Sequence, residues 1–343
     1  MKSYKVFSSL IAIILALSLM AACGSGSSSN SETLGNAAVT SNSAAYTLKA
    51  GHVQSQTHPY HLGLEYFGKL LEDRSGGKIV LEIYPSSQLG SERELTESIQ
   101  MGTLSCALVG NAVLANFDDT FSVFDLPFLF ENRDHAHAVM QSDFCAELYS
   151  GLENNDIIGL AWYENGFFDV LSKKEVDVPS DFNGMNIRTM ENAAYMNTYT
   201  AAGANPVPMA FSEVYTALQN GTVDGVSTSI TASVPMKFYE VAPYFLQVDM
   251  QFAICNMIFS KEVLDEMPQE YQDLIKECAI ESQQYEWDQI AIQEQEGINT
   301  INASGGQVKA TTDKQAWINA VRDPVYSSSA HADKIDHIRN YDH

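Results

Sequence analysis

Hydrophobic positions along this chain switch between a period near two and a period near 3.6, which predicts strands and helices taking turns. A first strand is predicted over 46–52, ending near Gly51. Pro59 opens a helix over 59–72 with Leu62, Tyr66 and Leu70 on one face. The turn Ser75-Gly76-Gly77-Lys78 leads into an apolar strand over 79–84. Strand, helix, strand in that order predicts a parallel pair joined by a crossover. A helix over 92–101 and a strand over 104–109 follow, so Gly110-Asn111 is a strand-to-helix loop. The run 124–130 is apolar without a period, which predicts a buried connecting segment. Further strands are predicted over 157–162 and 251–259. Tyr271, Leu274, Ile275, Cys278, Ser282 and Tyr285 keep helical spacing in a run over 268–303. At 1.5 Å per residue that helix is roughly 50 Å long, and Gly305-Gly306 ends it.

The stretch 184–225 organises the rest. A short strand ends on Ile187-Arg188, and the polar pair Glu191-Asn192 follows within a turn of the next helix. After the turn Gly203-Ala204-Asn205-Pro206 come a strand over 207–209 and a second helix starting near Ser212, whose hydroxyl is placed to cap it. Asn220-Gly221 is a helix stop, and 223–226 begins another strand. Strand ends in an open α/β sheet converge on a crevice where ligands bind. An arginine there offers a carboxylate two parallel hydrogen bonds, although a lone arginine after a strand is also a common surface residue.

Composition sharpens this. The chain has 343 residues, 45% of them hydrophobic, enough for two domains with their own cores. Residues 1–23 read as a secretion signal, with Lys2 and Lys5 before an apolar run and Leu19-Met20-Ala21-Ala22-Cys23 at its end. Residues 24–45, rich in Ser, Gly and Asn, read as a flexible tether. The net charge is −24, and loss of Lys2 and Lys5 leaves the remainder near −26, which disfavours nucleic acid and anionic headgroups. An anionic ligand would have to be held by a local cation against that field. Cys106, Cys145, Cys255 and Cys278 form no C-x-x-C pair; buried thiols are expected, and disulfide pairing stays open because connectivity does not follow from sequence.

The residues Gly184-Met185-Asn186-Ile187-Arg188, then Gly203 through Tyr215, then Asp224-Gly225, closely resemble the solute-binding proteins of TRAP transporters, the DctP family. Tyr84-Pro85-Ser86-Ser87-Gln88-Leu89-Gly90 with Arg93, Gln100-Met101-Gly102-Thr103-Leu104 and Phe124-Asp125-Leu126-Pro127-Phe128 extend the resemblance over nearly the whole chain after the tether. It implies an α/β, two-lobed periplasmic binding protein fold with hinge-crossing strands and a long helix spanning both lobes. The expected division is 46–165 plus about 254–290 for one lobe and 166–253 plus about 291–343 for the other. It also implies an extracytoplasmic protein that captures a carboxylate-bearing small molecule and hands it to small and large TRAP membrane subunits. The end of the signal resembles a bacterial lipobox, with Cys23 as the lipidated residue and membrane anchor.

On this footing Arg188 clasps the ligand carboxylate, Glu191 and Asn192 take ligand hydroxyls, Phe211 and Phe168 are apolar walls, and Thr228 adds a hydrogen bond. His52, Ser55, Gly110 and Asn111 line the opposite lip. Where the family commonly has a further arginine, this chain has Phe168; the ring either faces the ligand or turns into the core. One cation fewer favours a hydroxylated monocarboxylate, such as a uronic or aldonic sugar acid, over a C4-dicarboxylate or other organic acid. A sensor presenting the same ligand to a membrane receptor is an alternative, and a sugar-acid enzyme a weaker one. No G-x-S-x-G, H-E-x-x-H or P-loop pattern occurs, and His58/His61 and His135/His137 lack metal-ligand company; they are expected at a helix start and on the surface. No metal or cofactor is expected, and the tail from Ser327, with His331, His337 and His343, is expected to be peripheral.

Overall fold

A computed structural model of the chain describes residues 44–341. The signal segment, Cys23, the tether up to 43 and His343 lie outside the described residues. Nine strands are present: β1 (Tyr46–Gly51), β2 (Ile79–Tyr84), β3 (Cys106–Gly110), β4 (Ile157–Ser172), β5 (Asn186–Thr189), β6 (Asn205–Pro208), β7 (Gly225–Thr228), β8 (Tyr244–Ser260) and β9 (Gln307–Ala310). They join in the order β2-β1-β3-β8-β4-β7-β5-β6, with β9 on β8. At one end β1 runs parallel to β2 and β3; at the other β5 runs parallel to β6 and β7. The two parallel groups are the sheets of two lobes, and β4 and β8 run antiparallel through both. β6 is the edge strand, and it tolerates Pro206 and Pro208 because an edge leaves amide positions free of the ladder.

Both crossing strands are longer than their apolar cores suggest, because they do not end where one lobe ends. Between the lobes the β4–β8 register slips, at Glu164/Phe167 and again at Phe168/Val170. Gly166 sits in the first slip at φ 73°, a left-handed conformation that glycine adopts without a Cβ penalty. Just before that slip β4 pairs with β8 but β7 does not reach its other edge, and side chains from the long helix Gln269–Ala303 bond that edge instead. Gln283 Oε1 accepts from Trp162 N at 2.8 Å, Glu286 Oε2 accepts from Glu164 N at 3.1 Å, and Trp287 Nε1 donates to the Trp162 carbonyl at 2.9 Å. Backbone groups left over at such an edge need these partners when buried.

The helix touches three cores in succession. Ile275, Cys278 and Ala279 join the cluster beneath β1 and β3 around Leu64, Phe67 and Met257; Trp287 joins that of Phe121, Phe124 and Trp162; Ile301 joins that of Val214, Leu218 and Val226. A fourth cluster, with Ile187, Tyr199 and Trp317, backs β5. The four cysteines are free and buried, which settles the pairing left open by the sequence.

Several local expectations give way. Residues 211–213 form a single 3-10 turn, and the helix proper is Val214–Asn220; Ser212 caps nothing, because Glu213 N closes the turn on the Ala210 carbonyl at 3.2 Å. His135 is not on the surface. It is fully buried, and its Nε2 donates to the Ile338 carbonyl at 2.9 Å. Nor is the tail peripheral: helix Ala332–Arg339 buries Ile335 and Ile338 in the core of Phe121 and Phe124, and Val325 at the end of helix Lys314–Tyr326 joins them. The sparse apolar pattern of the tail hides this, since two isoleucines are enough to seat so short a helix.

Candidate functional site

Four strands, two from each parallel group, end around one cavity. Gly110 closes β3, Thr228 closes β7, Arg188 is the penultimate residue of β5, and Val53 and Gln54 follow the end of β1; all line the same space. It encloses about 530 Å³, part of which opens to solvent. The crossing strand β4 contributes Asn165 and Phe168, and Phe211 comes from the turn before helix Val214–Asn220. A second, wider cavity adjoins it, sharing Glu92, Arg188 and Phe211 and adding Arg93, Glu191 and Ser212.

Arg188 is held in register between Val207 of β6 and Val226 of β7, which fixes its stem against both neighbours. Its side chain is 3% exposed. Nε and Nη2 donate to the Met209 carbonyl at 3.2 and 2.9 Å, and Nη1 lies 3.5 Å from Met190 Sδ. A guanidinium has five hydrogens, so one remains on each terminal nitrogen. None of the ion pairs among the described residues involves Arg188. Burial pulls its pKa down to about 10, and the acid that acts on it most strongly through space, Glu92, pulls the other way. The side chain is therefore charged at neutral pH, buried, and without an acid of its own.

Two acids share its cavity. Glu92, at the first position of helix Glu92–Gln100, accepts from Gly110 N at 3.0 Å; burial raises its pKa, and the Gly110 amide and Arg188 partly restrain it. Asp125 is 2% exposed, and burial lifts its carboxyl to about 7 against the hydrogen bonds of Asn111 and Asn192. The floor is apolar: Phe168 packs with Ala112, Tyr195 and Ala253, its ring 6.1 Å from that of Tyr195.

Of the residues expected at the site, Arg188, Phe168, Phe211, Thr228, Gly110 and Asn111 come together around the inner cavity. Four do not. Glu191 is exposed and lines only the outer cavity. Asn192 is consumed elsewhere: its Oδ1 caps the next helix by accepting from Ala194 N at 2.9 Å, and its Nδ2 donates to Asp125 Oδ2 at 2.9 Å and the Ala112 carbonyl at 3.1 Å. His52 is buried under the end of β1, its Nε2 3.1 Å from His61 Nδ1, and burial with His61 and His58 lowers its pKa to about 3. Ser55 pairs with Thr57 at 3.1 Å and lies off the cavity.

The sequence reading missed Gln54, Tyr60, Glu92, Asp125, Asn165 and Tyr195. Two carried a signal. Asp125 is an acid inside an apolar run, and buried acids of that kind need a reason. Glu92 lies beside Arg93 in a stretch already singled out.

Two lobes joined by crossing strands, with a buried cation and apolar walls at their strand ends, define a ligand-capture protein of the two-lobed binding class. Residues 50–333 match the family of bacterial extracellular solute-binding proteins, family 7, DctP, and the chain belongs to that family. It is a TRAP-type solute-binding protein serving transport, and not an enzyme. It is 30% identical over 287 residues to the 2,3-diketo-L-gulonate-binding periplasmic protein YiaO of Escherichia coli K12, across 83% of this chain and 88% of that protein. It is 31% identical over 239 residues to the C4-dicarboxylate-binding periplasmic protein DctP of Rhodobacter capsulatus, across 69% of this chain and 72% of that protein. The crystal structure of a TRAP periplasmic solute-binding protein from Polaromonas sp. JS666, bound to D-erythronate, matches with a TM-score of 0.84 at 30% identity, covering 87% of this chain and 99% of that chain.

Proposed function

We propose that this protein captures a hydroxylated monocarboxylate, of the uronic or aldonic sugar-acid class, with Arg188 gripping the carboxylate. The observation that carries this reading is the buried guanidinium that forms no ion pair among the described residues. An unpaired buried charge is costly, and a ligand carboxylate answers it with charge-assisted hydrogen bonds. Phe168 replaces the second cation that a short dicarboxylate would use, and Glu92 in the same cavity repels a second carboxylate while accepting from hydroxyls. D-erythronate in the Polaromonas structure and 2,3-diketo-L-gulonate in the name of the Escherichia coli relative are hydroxylated monocarboxylates of this kind.

The lobes are proposed to part near 165 and 253, where the β4–β8 register slips, and to close on the ligand by bending there. Helix Ala332–Arg339 then belongs with the first lobe, whose core it shares. Delivery to paired TRAP membrane subunits and anchoring through a lipid on Cys23 complete the reading; mass spectrometry of the mature N-terminus tests the anchor. A C4-dicarboxylate is the second reading, supported by the Rhodobacter capsulatus relative. Calorimetry with a panel of sugar acids, C4-dicarboxylates and keto acids separates the two: the first predicts tightest binding to a hydroxylated monocarboxylate, and tighter binding of succinate or malate than of every sugar acid overturns it.

A further inference from the structure

Asn111 opens the short helix after β3, is 2% exposed and lines the inner cavity. The chain itself orients its amide. Nδ2 donates to the Phe121 carbonyl at 2.9 Å and to Asp125 Oδ1 at 3.0 Å. An amide nitrogen carries two hydrogens, so both are spent, and the flipped amide would set an oxygen against two acceptors. Oδ1 is left as a buried acceptor without a partner among the described residues. Gln54 repeats the pattern: it is 3% exposed, lines the same cavity, and its Oε1 has no partner either. Both belong to the first half of the chain, whereas Arg188 and Thr228 come from the second.

We propose that Asn111, held by Asp125 in an acceptor-only orientation, reads a ligand hydroxyl, and thereby selects hydroxylated monocarboxylates over acids that lack the hydroxyl or carry a carboxylate in its place. This rests on the reading of Arg188 as the carboxylate anchor. A hydroxyl has a hydrogen to give; a methylene does not, and a second carboxylate brings oxygen against oxygen. Sites built to bond a hydroxyl reject the analogue without it because the buried acceptor is then left unpaired. Asp125 is a positioning residue. It orients Asn111 with one oxygen, and with the other it accepts from Asn192 at the start of the helix after β5, which ties the two halves of the chain together at this point.

The test uses isothermal titration of the full chain and its variants with D-erythronate and D-galactonate, against butanoate, hexanoate and succinate. The parent prefers the hydroxylated acids. Asn111→Leu lowers affinity for the preferred acid at least tenfold and changes that for butanoate or hexanoate less than threefold, so the preference collapses. Asp125→Ala collapses the same ratio from a position that does not present the acceptor, and Asp125→Asn, which keeps one acceptor oxygen, restores part of it. Circular dichroism confirms folding, with Asn111→Ala as a second variant. A parental preference retained within threefold in both Asn111 variants overturns the proposal while leaving the Arg188 reading intact. A parent that prefers succinate overturns both.

Discussion

Replacing Arg188 by methionine keeps the stem and removes the charge, and the structure gives the two consequences opposite signs. The side chain is 3% exposed and has only a carbonyl and a sulfur as partners. If Arg188 anchors the ligand as proposed, a ligand carboxylate is its one ion-pair partner, and truncating one member of such a buried pair costs about 2 to 5 kcal/mol, or roughly thirty-fold to several thousand-fold in Kd. Without ligand the balance differs. Burial lowers the pKa to about 10, which corresponds to roughly 3 kcal/mol held against the charged form in the fold. Removing that burden is offset by about 1 to 3 kcal/mol for leaving the Met209 carbonyl without its donor. Ligand-free stability should therefore hold or rise by up to ~2 kcal/mol while affinity collapses, read by urea unfolding and calorimetry on the same sample. Arg188→Lys recovers only part of the affinity, because the planar fork is lost. Parental affinity in the methionine variant, or a loss of ligand-free stability above about 3 kcal/mol, the size of a core truncation, refutes the assignment.

Phe168→Arg places a second cation beside Tyr195 and Ala253; succinate binding should strengthen at least tenfold relative to the parent, by calorimetry, at some cost in stability. Asp169 accepts from the amides of Val248 and Asp249, and burial first, Asp249 second, raise its carboxyl to about 8; burial raises Asp125 to about 7. Both hold protons in the fold that the unfolded chain has released above about pH 4. Their stabilising contribution is therefore full below that pH and is lost as pH rises through 7 to 8. Urea unfolding of the parent and Asp169→Asn should converge at low pH and separate by up to about 5 kcal/mol in favour of the variant at pH 8; a constant difference contradicts the sign. Gly225→Val should cost several kcal/mol, since a Cβ there meets the Leu171 carbonyl at 2.9 Å; an unshifted Tm would be inconsistent with that register.

The architecture was legible because each strand-to-helix switch leaves a change of period, and Arg188 because a cation at a strand end stands out in a chain of net charge −24. What escaped was whatever depended on which neighbour a polar group would find. Asn192 has the chemistry of a ligand contact, yet as a helix cap it spends its oxygen on Ala194 N and its nitrogen on Asp125 and Ala112. Glu92 carried no mark of its own in the sequence, and its place in the cavity depends on a strand end eighteen residues on, where Gly110 N donates to its carboxylate. The tail failed differently: local pattern says little about a helix seated by two residues in a core assembled from distant segments.

At the waist between the lobes, β4 hangs from three side chains of one rod, Gln283, Glu286 and Trp287, on the edge that β7 does not reach. The rod that supplies them is the same one that packs into the cores at both ends of the sheet. Shortening Glu286 by a single methylene would draw its carboxylate away from the Glu164 amide at the waist while leaving every residue that lines the cavity in place.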